Sequence, residues 1–191
     1  MNKNYKIIPE IEDCLLQEKK VKEILQQGNI EERIALCKLS RILQKQKEQQ
    51  YQGPAILDRC ELDLAVHCGY LAEQYEIKLQ RWKTMDKEIG VMEKPDLILF
   101  FEFYEKGGED DPRKELVKQR KQVYLELQEQ LYNMWIEYCD ENKTHLVFVP
   151  AKKEMYKKIS LVQDIIKQKP ADRIVFTGAC HSGKTITANN L

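Results

Sequence analysis

No sign of charge dominates this 191-residue chain: 31 Lys and Arg meet 31 Asp and Glu, for a formal net charge of zero. That balance excludes a whole-molecule field drawing in nucleic acid or an anionic membrane, and leaves room only for a local basic site. The six cysteines, Cys14, Cys37, Cys60, Cys68, Cys139 and Cys180, include no C-x-x-C pair and no zinc-ligand spacing. Most fall on apolar faces of predicted helices and read as reduced, buried small hydrophobes of a cytoplasmic protein. No stretch approaches the ~20 apolar residues of a membrane-spanning helix, and the opening MNKNYKIIPEIED has no long apolar core behind its basic residues. No internal repeat or low-complexity linker divides the chain. One domain over residues 1–191 is therefore expected, long enough to bury a core without staples.

What is present is an alternation of short apolar runs with long helical patterns, the signature of a parallel sheet covered by helices. Strands are predicted over 5–8, 55–57, 97–103, 145–149 and 173–177, giving an α/β fold with a five-stranded parallel sheet in a three-layer α/β/α arrangement. Turn residues flank them, among them Gly53-Pro54, Lys94-Pro95-Asp96 and Pro150. Between strands, Ile11, Cys14, Leu15, Val21, Ile24 and Leu25 recur at helical spacing until Gly28-Asn29. A Gln- and Lys-rich helix follows over about 30–50, its thin stripe of Ile34, Cys37 and Ile42 leaving one side solvated. The longest helix is placed over 113–140 after Pro112, and another around Met155 to Ile166.

The chemistry is concentrated near the C-terminal end. Gly178-Ala179-Cys180-His181-Ser182-Gly183-Lys184-Thr185 fits G-x-x-x-x-G-K-[ST], and the strand RIVFT runs straight into it. Such a loop turns back on itself so that successive backbone N–H groups face phosphate oxygens, and glycine tolerates the dihedrals this needs. Lys184 is expected to reach the β- and γ-phosphates of ATP and Thr185 to ligate Mg²⁺. The helix that follows is expected to add its positive N-terminal end. Residues 178–186 are thus the expected nucleotide-binding segment. A P-loop ordinarily follows the first strand of its domain, whereas here Ile186 to Leu191 alone follow Thr185. Either the chain is cut short or the rest of the domain lies upstream.

The upstream residues favour the second option. Read from Arg173 to Leu191 and on from Met1, the order becomes RIVFTGACHSGKTITANNL and then MNKNYKIIPEIEDCLL. This resembles the opening of a nicotinamide-riboside-kinase-like P-loop ATPase or kinase, a group similar in plan to thymidylate and deoxynucleoside kinases. The resemblance continues in order through Gly53-Pro54-Ala55-Ile56-Leu57-Asp58-Arg59 and Lys94-Pro95-Asp96-Leu97-Ile98-Leu99-Phe100 to a basic helix opening at Arg113. It implies a circularly permuted domain: residues 5–168 supply the second strand to the last helix, and 173–191 supply the first strand, P-loop and first helix. Close, surface-lying termini are what a compact domain tolerates on being recut.

The resemblance also assigns roles, each beside a plainer reading. Asp58 becomes the acid that holds Mg²⁺ directly or through water, or else a helix N-cap. Arg59 contacts the substrate or its phosphate, or forms a surface ion pair. Asp63 reads as an ordinary exposed helix residue. Glu10, after the strand-ending Pro9, is the general base toward the substrate hydroxyl or the residue that holds it. Arg113, with Lys114, Lys118 and Arg120, forms either a basic lid after the Gly107-Gly108 loop or a solvated helix face. Cys180 and His181 contribute backbone N–H groups, with the thiol a bystander.

The function implied is transfer of the ATP γ-phosphoryl to a hydroxyl of a small nucleoside-like molecule. The alternative is a non-catalytic nucleotide-binding module, structural or regulatory, within a larger assembly. A third arrangement docks the C-terminal strand and P-loop into a neighbouring chain as a swapped dimer or array. The partners expected are a nucleotide and a small acceptor, without membrane or nucleic acid.

Overall fold

The computed structural model describes residues 4–11, 15, 17–74, 94–103, 121–151, 154–178 and 182–191. Its strands are β1 (Lys6–Ile8), β2 (Ala55–Asp58), β3 (Leu97–Phe101), β4 (His145–Val149) and β5 (Arg173–Thr177). Its helices are α1 (Lys19–Gln27), α2 (Ile30–Gln49), α3 (Glu61–Gln74), α4 (Lys121–Asn142), α5 (Met155–Gln168) and α6 (Lys184–Ala188). The protein is α/β, with five parallel strands in the order β1-β2-β5-β3-β4. The last strand of the chain is the central one. Its neighbours are fixed in register: Asp58 lies level with Phe176, and Phe100 with Thr177.

By compactness the chain divides into two units, one of Met1–Ile7, Gly53–Asp58 and Lys94–Leu191, the other of Ile8–Gln52 and Arg59–Glu93. In the first, the strands are apolar on both faces, as a sheet covered on each side requires. Leu99, Phe101, Val149, Ile174 and Phe176 form one face and pack with Val162, Ile165 and Ile166 of α5 and Ala188 of α6. The alternate residues meet α4: Tyr132 packs on Phe100 and Phe148, and Trp135 Nε1 donates to Thr177 Oγ1 at 2.9 Å. The period of two therefore sorts β5 between two helical layers, and its terminal hydroxyl is held from the α4 side.

Local chemistry explains the element ends. Asn29 caps α2 by accepting from Glu32 N–H at 3.0 Å, while the Glu32 carboxylate accepts from Asn29 N–H at 2.9 Å, a reciprocal capping box. β3 stops two residues before the end predicted for it because Glu102 N–H still reaches Val149 O, whereas Phe103 N–H turns to the Gln128 side chain of α4. β2 runs one residue beyond its predicted end and takes in Asp58, which is therefore a strand residue and not a helix cap. In the second unit α1 packs on α2, and α2 on α3. The helix predicted from Ile11 onward is described as α1 from Lys19. The long helix placed over 113–140 is described as Lys121–Asn142, so its opening, with Arg113, Lys114, Lys118 and Arg120, lies outside the described residues. No helix among the described residues is long and apolar enough to cross a membrane.

Candidate functional site

β5 delivers its chain to a tight turn at the carboxyl edge of the sheet. Thr177 is fully buried, and Gly178 follows with φ 124°. A Cβ on Gly178 would lie 2.2 Å from the Phe101 carbonyl oxygen, so glycine is required both by dihedral and by the close passage of β3. Gly183, at φ 87°, is the N-cap of α6. Lys184, the first residue of that helix, is 6% exposed and folds back: its ammonium donates to Gly178 O at 2.9 Å and to Ser182 Oγ at 3.1 Å. The loop is thereby closed on itself across six positions. Thr185 and Ile186 face outward, while Thr187 turns in and donates to Gly183 O at 2.8 Å. Ala179, Cys180 and His181 lie outside the described residues.

Because the sheet is parallel, the strand ends nearest this turn fall on the same edge, where open α/β sheets take their ligands. Asp58 closes β2, the strand hydrogen-bonded to β5, and α6 packs against both. Its carboxylate is in a residue only 3% exposed and makes no hydrogen bond or ion pair among the described residues. Among the described residues no three or more His, Cys, Asp or Glu are grouped for a metal. Asp58 ends β2, and Thr185 lies in α6, the helix packed against that strand.

The second unit holds a polar cluster that hydrophobic patterning did not disclose. The buried side of α2 carries Ile34 and then Ser40, Arg41, Gln44 and Glu48, so it is mostly polar. Arg41 Nε donates to Glu61 Oε1 at 2.6 Å. Gln44 donates to Glu48 at 3.0 Å and accepts from Ile11 N–H at 2.8 Å, and Glu48 accepts from Glu61 N–H at 2.9 Å. Arg59, at φ 62°, sends one guanidinium nitrogen to both Glu10 oxygens, at 2.7 and 2.9 Å. Asp63 is fully buried, in contrast to the exposed position expected, because its carboxylate reaches back to accept from Cys60 N–H at 3.0 Å and caps α3. Burial, reinforced by the Asp63 and Glu48 carboxylates, pushes the Cys60 thiol well above its usual pKa, so it is no nucleophile. Cys37, Cys60, Cys68 and Cys139 are all free thiols.

Glu10 and Arg59 are thus brought together, in a buried ion pair and not at the surface. A double-mutant cycle with Glu10→Gln and Arg59→Gln is expected to return a coupling of about 2 kcal/mol in urea unfolding. Additivity within a few tenths would show that the pair does not persist in solution. Comparison with family models, curated proteins and solved structures finds no match, which leaves the geometry above as the ground for a functional reading.

Proposed function

We propose that this protein is an ATP-binding P-loop domain of the small-molecule-kinase type, three-layered and circularly permuted. The observation that carries the reading is the closed turn after the central strand, in which a buried Lys184 is centred on Gly178 and Ser182 between two glycines of positive φ. Strand order supports it. Counting β5 first turns β1-β2-β5-β3-β4 into 2-3-1-4-5, with the loop-bearing strand in the middle and the Asp58 strand beside it. ATP would supply the transferable phosphoryl group, and Mg²⁺ would neutralise phosphate charge. Lys184 orients the phosphates as a fixed point charge, the N–H groups at the start of α6 add their partial charge, and Asp58 with Thr185 holds the metal directly or through water. The roles of Glu10 and Arg59 toward a nucleoside-like hydroxyl rest on the sequence resemblance, as does the lid role of Arg113.

A non-catalytic nucleotide-binding module is the second reading, and one observation favours it. Glu10 and Arg59 are matched to each other, which stabilises both charges and offers neither to a substrate. The two readings part on turnover. The first requires phosphate transfer from Mg-ATP to at least one member of a nucleoside panel; binding without transfer across the panel leaves the module. The metal assignment is tested by titrating Mg²⁺ at fixed ATP. Asp58→Asn is expected to raise the Mg²⁺ needed for half-maximal binding about tenfold, and an unshifted midpoint would remove Asp58 from the site.

A further inference from the structure

α5 places Lys158 and Val162 one helical turn apart on its buried side, so a lysine sits in an otherwise apolar stripe. Lysines at such positions ordinarily extend to water along their methylene stems. This one is 2% exposed, and its ammonium donates to the main-chain oxygen of Ser182 at 2.7 Å and stands 6.0 Å from the centre of the Phe101 ring. Ser182 is itself 1% exposed, and a Cβ on the adjacent Gly183 would lie 3.5 Å from the Lys158 nitrogen. α5 is thus in direct contact with the loop from outside the motif.

Peptide geometry gives the contact a consequence. In a planar trans peptide the N–H of one residue points opposite to the carbonyl of the residue before it. Drawing the Ser182 oxygen toward α5 therefore turns the Gly183 N–H away from α5. Lys184 holds the same segment from within, through Ser182 Oγ and Gly178 O. The turn is secured by two ammonium groups, one inside the motif and one 24 residues upstream of the carbonyl it binds.

We infer that Lys158 is a positioning residue of the phosphate loop: by holding the Ser182 carbonyl it aims the Gly183 N–H at a bound phosphate and places a second positive charge behind the turn. The inference rests on the P-loop reading and deepens it, since the motif itself does not include Lys158. The charged group whose field reaches it is Glu102, which follows β3; α6, opening at Lys184, packs against α5. Burial pushes the Lys158 pKa down, and Glu102 partly opposes the shift. A bound polyphosphate acts in the direction of Glu102 and raises it. The complex then holds protons that the free protein has partly lost, so affinity falls as pH rises through the lowered value.

The test compares intact wild type, Lys158→Met and Lys158→Arg by Mg-ATP calorimetry, and by hydrogen exchange of residues 182–184 without nucleotide. Lys158→Met is expected to weaken binding about tenfold, to speed loop exchange while β4 is unchanged, and to abolish the proton uptake that wild type shows in alkaline buffers of differing ionisation heat. Lys158→Arg is expected to recover most of the affinity. Wild-type affinity together with wild-type loop exchange in Lys158→Met overturns the inference. If wild type binds no Mg-ATP, the P-loop reading fails, and loop exchange in the variant still decides whether the clamp exists. Should Lys158→Met not fold, Lys158→Leu, apolar and without a donor, carries the same comparison.

Discussion

Lys184→Ala is expected to weaken Mg-ATP binding by a few hundredfold, measured by calorimetry on the intact chain beside wild type. The magnitude follows from what the ammonium can exchange. In the structure it bonds two neutral oxygens, Gly178 O and Ser182 Oγ, while 6% exposed. Facing phosphate it makes charge-assisted bonds instead, each of about 1.5–3 kcal/mol. Two such bonds at the lower end of that range amount to roughly 3–4 kcal/mol, which is some two to three decades in Kd. Stability should change far less, because the variant loses the two bonds but also a buried charge whose desolvation opposed folding. Lys184→Arg keeps the charge, yet a planar fork cannot occupy a turn sized for a point-like ammonium, so a loss of similar order is expected. Unchanged binding in Lys184→Ala would remove the loop from the nucleotide site altogether, and with it the proposed function.

The strand that carries the loop was legible because its signal is local. A β-branched run into G-x-x-x-x-G-K-T states both the strand and the turn, and β4 and β5 occur at the predicted residues. Helix α2 was legible at its start for the same reason, through the Gly28-Asn29 break that precedes it. Its packing was not. A reading that weights apolar residues assigns Ile34, Cys37 and Ile42 to the core, but Arg41, Gln44 and Glu48 are buried because partners remote in sequence satisfy them. Arg41 meets Glu61 twenty residues on, and Arg59 meets Glu10 from 49 residues away. Pairings of that range leave no periodic mark. There was one usable clue, the spacing of 41, 44 and 48 on a helix whose apolar stripe was too thin to bury it. Lys158 offered a similar clue, a cation in register with Val162 and Ile165 on α5. Asp63 was misplaced because a carboxylate three residues into a helix is as often solvated as it is a cap, and what decides is the Cys60 N–H beneath it.

Gly178→Ala is expected to cost roughly 4 kcal/mol of folding stability, the upper end for a single methyl group. Two penalties add. The residue has φ 124°, where an L side chain is strained, and the new Cβ would stand 2.2 Å from the Phe101 carbonyl oxygen, an atom fixed in the main chain of β3. Relief requires that β3 and β5 part where Phe100 and Thr177 are paired, or that the turn move off the sheet edge. Gly183→Ala provides the control. There φ is 87°, and the nearest atom, at 2.9 Å, is the terminal methyl of Met155, which can rotate aside. A cost of about 1–2 kcal/mol is expected for dihedral strain alone. Urea unfolding of both variants reads the difference directly. If Gly178→Ala is no worse than Gly183→Ala, the backbone of the turn does not pass against β3 in solution. If the ordering holds, the turn that cradles Lys184 is anchored through main-chain contact with the sheet, so its geometry is set by the fold itself.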